Sequence, residues 1–100
     1  MNRTKKLKPI HPGEALRTVL DDANLSANRA ALLMRIPSNR LTAILSARRG
    51  ITADTALRLA RLFETSAEMW LNLQTRYDLE VAEDEIAARI TREVAPLSAA

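Results

Sequence analysis

Between residues 38 and 49 the chain carries Ser38, Asn39, Arg40 and Thr42, then Ser46, Arg48 and Arg49, with no acid among them. Two small hydroxyls ahead of the loop, one carboxamide and three guanidinium forks do not make a nucleophile with its base. They make a set of donors suited to a polyanion. An asparagine side chain pairs bidentately with adenine and an arginine with guanine, each worth about 1–3 kcal/mol of discrimination. Paired arginines in an adjoining loop are natural phosphate contacts. The competing reading is a solvated helix start whose cations only keep the surface wet.

Other chemistries are closed off by residue types. Cysteine is absent and His11 is the single histidine, which excludes disulfides and thiolate chemistry and leaves a histidine metal centre without a second ligand. The run Glu83-Asp84-Glu85 diverges around a helix and reads as a solvated face rather than a paired-carboxylate or metal site. No enzyme activity, no metal and no cofactor are expected. The chain has no run of about 18 apolar residues, and its start, MNRTKKLK, is not followed by the apolar stretch of a secretory signal. A cytoplasmic location without membrane contact is expected.

The net charge of +3 is unevenly spread. Residues 1–10 hold four cations and no acid, and residues 26–61 hold seven arginines against Asp54 alone. From residue 62 onward eight acids face three arginines, a balance of −5. The middle of the chain is therefore the candidate polyanion footprint, and the last third is not.

The elements that must position these donors follow from periodicity. One hundred residues suit a single domain, and two glycines and three aromatics against abundant Ala, Leu and Arg disfavour a β fold. The expected class is all-α. Helix starts are signalled at His11-Pro12-Gly13-Glu14, at Ser26, at Ser38 as the cap after the Ile36-Pro37 break, at Thr52 and at Ser66. The second pattern would bury Ala30, Ala31, Leu33 and Met34, the third Leu41, Ile44 and Leu45, and the fourth Ala56, Leu57, Leu59, Ala60 and Phe63. Gly50 is expected to reverse the chain with a positive φ. A fifth helix is predicted from Ala67 to about Arg76. A sixth, from Tyr77 to before Pro96, carries Leu79, Ala82, Ile86, Ile90 and Val94 on one face. That amphipathic C-terminal helix docks on a partner or second copy, or else caps the same core.

The strings His11-Pro12-Gly13-Glu14, Leu25-Ser26, Ile36-Pro37, Arg40-Leu41, Ile44-Leu45, Arg49 through Ala60, Phe63, Thr65-Ser66-Ala67-Glu68, Trp70-Leu71-Asn72-Leu73-Gln74 and Tyr77-Asp78-Leu79 resemble the HigA/VapI-type antitoxins. These are part of the lambda-repressor-like (XRE) helix-turn-helix group, and the likeness covers about residues 10–80. Residues 1–10, rich in Lys and without periodicity, read by themselves as a basic flexible arm; the resemblance implies a five-helix DNA-binding domain at 11–76 and a C-terminal helix at 77–100 for dimerisation or partner binding. It implies a homodimer that represses its own operon by major-groove binding to a palindromic operator, near the nucleoid, and that neutralises a RelE/HigB-like ribonuclease toxin. A solitary XRE-type repressor without a toxin would have the same DNA-facing residues. On this resemblance Ser38, Asn39, Arg40 and Thr42 face bases, and Asn28, Ser46, Arg48 and Arg49 face phosphates. Met69, Trp70, Leu73, Tyr77, Ile86 and Ile90 are the candidate dimer surface, or alternatively intrachain core. Two positions depart from the family pattern: Ala27 stands where a phosphate-binding Gln is usual, and Arg35 stands where Gly usually precedes the turn.

Overall fold

The first helix begins where His11 turns its ring back on its own chain. Its Nδ1 accepts the Gly13 N–H at 2.9 Å, while Pro12 occupies a position whose N–H would have no helical partner. The structure, a computed structural model, describes residues 8–99, so most of the expected basic arm lies outside the described residues. Five α-helices follow in order: α1 (Pro12–Asp22), α2 (Ala27–Met34), α3 (Ser38–Leu45), α4 (Ala53–Phe63) and α5 (Ala67–Glu93), with a final 3-10 turn at Leu97–Ala99. Ser26, Thr52 and Ser66 cap α2, α4 and α5 through their hydroxyls, as their sequence positions predict. Ser38 does not cap α3. Pro37 holds the capping position, and Ser38 is the first residue of the helix.

The ends of α1 to α4 share one device. Asn24, Arg35, Ala47 and Glu64 sit in the left-handed region, with φ of 53°, 59°, 63° and 55°. The next N–H in each case bonds back across the last turn, from Leu25 to Leu20, Ile36 to Ala31, Arg48 to Ala43 and Thr65 to Ala60, at 2.9–3.1 Å. This is the Schellman closure, normally built with glycine. Neither glycine of the described chain has a positive φ, so the reversal expected at Gly50 is made by Ala47 instead.

The two glycines serve close approach. A Cβ on Gly13 would run into the Ile44 carbonyl oxygen, where α1 crosses α3, and a Cβ on Gly50 would come within 2.9 Å of the Gln74 amide. That amide ties the loop before α4 to α5, because Gln74 Oε1 accepts the Ile51 N–H at 2.7 Å.

The core lies between α1, α2, α3, α4 and the first part of α5, with Leu16, Ala30, Leu41, Ile44, Leu59 and Trp70 fully buried. Leu33 and Leu57, expected inside, are exposed. Leu33 lies one residue before the buried Met34 and Leu57 one residue after the buried Ala56, so a 100° rotation carries each out of the apolar stripe.

The largest departure from expectation is at the C-terminus. The predicted fifth and sixth helices are one continuous helix of 27 residues, about 40 Å long at 1.5 Å per residue. The shift to acidic residues at Asp78 changes charge, not helix propensity, and no Gly or Pro intervenes before Pro96. Its far end projects beyond the other helices. The molecule measures 54 × 28 × 22 Å with a radius of gyration of 17.1 Å, against about 13 Å for a compact chain of this length.

Candidate nucleic-acid interface

Helix α3 is anchored on one side and polar on the other. Leu41 and Ile44 are fully buried, which fixes the rotation of the helix about its axis. Ser38, Asn39 and Thr42 are consequently exposed, and Arg40 is half-buried. Ser38, Asn39 and Thr42 therefore share the outward side of one short element, and Arg40, four residues before the buried Ile44, stands at its flank. The α3 start has no side-chain cap; the Arg40 N–H bonds to the Pro37 carbonyl at 3.1 Å, and the positive end of the helix dipole lies at Ser38 and Asn39.

The turn that presents this helix is made by Arg35, Ile36 and Pro37. Arg35 takes the left-handed conformation that glycine usually supplies, and Ile36 drops into the core behind it. The departure at Arg35 thus leaves the turn geometry intact and places strain there instead.

Of the residues expected at phosphates, Asn28 lies exposed in the first turn of α2. Ser46, Arg48 and Arg49 form the exposed exit from α3. Ser46 Oγ accepts from Arg48 Nε at 2.8 Å, which couples two of them. The side chains of Asn28, Asn39 and Arg49 have no hydrogen-bond or ion-pair partner among the described residues. Thr42 Oγ1 leans on the Asn39 carbonyl at 3.3 Å.

Arg40 is engaged differently. Its Nη1 donates to Asp54 Oδ1 at 2.9 Å, and the same oxygen accepts from Arg58 Nε at 2.8 Å. Arg58 Nη1 continues to the Met34 carbonyl at 2.9 Å. One carboxylate therefore links α3 to α4 and, through Arg58, to the end of α2. The hydrogen bonds from Arg58 first and Arg40 second hold the Asp54 carboxyl below the usual carboxylate range. Read in sequence, Asp54 was only an acid at a helix start; its isolation among seven arginines was the one available signal that it paired with some of them.

The expected dimer surface divides. Trp70 is fully buried within the chain, its Nε1 donating to Thr65 Oγ1 at 2.9 Å, so it is core and does not meet a second copy. Tyr77 is half-buried with its ring edge-on to His11, centroids 4.8 Å apart. That contact gives His11 a structural role. Met69 and Ile90 are exposed, and Leu73 and Ile86 are half-buried. Leu79 and Val94 are 59% and 63% exposed on α5.

Two short helices joined by a three-residue turn, the second presenting polar side chains from a buried apolar anchor, define a helix-turn-helix protein of the lambda-repressor-like fold. No family model matches the chain. Virulence-associated protein I of Dichelobacter nodosus is 47% identical over 81 residues, 80% of this chain and 75% of that protein. An addiction module antidote protein of a HigA family from Coxiella burnetii superposes with a TM-score of 0.87 at 50% identity, over 90% of this chain and 99% of that one. The Pseudomonas aeruginosa antitoxin HigA, solved with the higBA promoter, gives 0.86 at 40% identity, over 89% and 98%. The chain belongs to the HigA/VapI-type antitoxins of the XRE helix-turn-helix family. It is a regulatory protein and not an enzyme.

Proposed function

We propose that this chain is the antitoxin of a two-gene module, binding its own operator as a dimer through α3 and neutralising a RelE/HigB-like ribonuclease toxin. The observation that carries the DNA half is the outward side of α3, where Ser38, Asn39 and Thr42 stand exposed with Arg40 at their flank because Leu41 and Ile44 are locked in the core. In the major groove, Asn39 and Arg40 would form the bidentate base pairs, with Asn28, Ser46, Arg48 and Arg49 on the flanking phosphates. The P. aeruginosa relative solved with its promoter supports the same use of the fold. Ala27 offers no side-chain donor at the start of α2, so the N–H groups of that turn and Asn28 take the phosphate there.

A single α3 covers too little DNA for tight binding, so a two-fold pair is needed, with half-sites about one helical turn apart. The apolar side of the projecting part of α5, from Leu79 through Ile86 and Ile90 to Val94, is the surface for the second copy. No helix of the described residues is long and apolar enough to cross a membrane.

Binding to the DNA just upstream of the gene tests the reading. Arg40→Ala should relax base discrimination, whereas Arg48→Ala should weaken all sequences alike and lower the salt slope by about one unit per subunit. Ile86→Glu with Ile90→Glu should leave a folded monomer by sedimentation. Co-expression with the neighbouring gene product tests the toxin half: no complex and no toxicity would leave a solitary repressor.

A further inference from the structure

We infer that Asp54 is a specificity-determining positioning residue, which holds the Arg40 guanidinium in the orientation that reads a base. The inference rests on the assignment of α3 as the reading helix. Arg40 stands apart from its neighbours on that helix: its side chain is only 25% exposed, and it is tied at Nη1 to a carboxylate from another helix. Asp54 is in turn fixed from behind by Arg58, which is anchored on the Met34 carbonyl. Three elements of the domain thus converge on the aim of one side chain.

The chemistry of the guanidinium makes this contact useful rather than obstructive. Arginine has five N–H donors, and Asp54 engages Nη1. The edge formed by Nε and Nη2 is not used by Asp54, and it is a fork that matches the O6 and N7 acceptors of guanine. A long side chain already held in place loses less conformational freedom on meeting its target. Asp54 itself gains no direct benefit from DNA. Its carboxylate is 55% exposed within the most basic stretch of the chain, and it repels phosphates.

That opposition of effects gives a test that a merely structural residue would fail. Asp54→Asn should be measured beside wild type, Arg40→Ala and the double variant, on the duplex upstream of the gene, on single-base variants of its protected site, and on a scrambled duplex. In Asp54→Asn, affinity for the scrambled duplex should hold or rise, because one negative charge is gone. Discrimination against the base variant at the Arg40 contact should fall by about three- to tenfold, less than the about 5- to 150-fold expected for losing the bidentate pair outright. Added to Arg40→Ala, the Asp54 substitution should cost no further discrimination, and Asp54→Glu should restore part of it. Melting curves on each variant confirm that folded protein is compared.

A rise in operator discrimination on Asp54→Asn would mean that the carboxylate masks Arg40, and would overturn the inference. So would unchanged discrimination in Asp54→Asn while Arg40→Ala loses it, which leaves the reading role of α3 standing. If Arg40→Ala itself loses no discrimination, the base-reading assignment of Arg40 fails first, and the role of Asp54 fails with it.

Discussion

Replacing Arg35 by glycine should stabilise the protein, although it deletes a whole side chain. Arg35 closes α2 with φ 59° and ψ 43°, a conformation that costs an L-residue about 1–2 kcal/mol through the crowding of its Cβ. Glycine removes that cost but makes the unfolded chain more flexible, which takes back about 0.4–1 kcal/mol. The Arg35 side chain is exposed and has no partner among the described residues, so its loss adds little on either side. The net expectation is a gain of about 0.5–1 kcal/mol, or about 2–8 °C in Tm for a domain of this size. The control is Arg35→Ala, which deletes the guanidinium but keeps the Cβ and should gain nothing. Thermal unfolding followed by circular dichroism, together with urea midpoints, compares all three. A glycine variant no more stable than the alanine variant would refute the argument that the strain resides in the Cβ. Ala47→Gly, at φ 63°, should move in the same direction.

Gln74→Ala removes the acceptor for the half-buried Ile51 N–H, and should cost about 1–3 kcal/mol by denaturant unfolding. Gly13→Ala sets a Cβ against the Ile44 carbonyl oxygen; backbone cannot yield as a side-chain tip can, so soluble expression and Tm should both fall sharply. The Asp54 cluster gives a pH dependence of known sign. Because its arginine partners lower the folded pKa of Asp54, their stabilisation is present above the usual carboxylate pKa of about 4 and is lost as pH falls through the lower folded value. The Tm advantage of wild type over Asp54→Asn should therefore be present at neutral pH, shrink below about pH 4 and narrow further with added salt. An advantage independent of pH would place its origin elsewhere.

The structure bears on how the regulatory parts communicate. α5 both seals the core with Trp70 and extends outward as the apolar stripe. Since the helix is unbroken, a partner seated on the stripe is joined by continuous backbone to Gln74, which pins the loop following Arg48 and Arg49. The loop that carries the phosphate-contact candidates and the C-terminal stripe are thus both attached to one unbroken helix.

What the sequence by itself determined is what depends on neighbours within about four residues. The caps at Ser26, Thr52 and Ser66, the Ile36-Pro37 break and the apolar stripe of α3 are local, because helix propensity, capping and periodicity act over one turn. The same locality made the outward set Ser38, Asn39 and Thr42 legible, since burying Leu41 and Ile44 turns those side chains to the opposite side. Tertiary structure alone decided what depends on distant partners. The need for glycine at position 50 lies in Gln74, 24 residues on, and the aim of Arg40 lies in Asp54, on the next helix. Leu33 and Leu57 are apolar by composition yet exposed, because the inward positions of their helices are already filled by Met34 and Ala56. The continuity of α5 was hidden for the opposite reason: a change in charge reads as a boundary, but only a residue that strains or unbonds the backbone ends a helix.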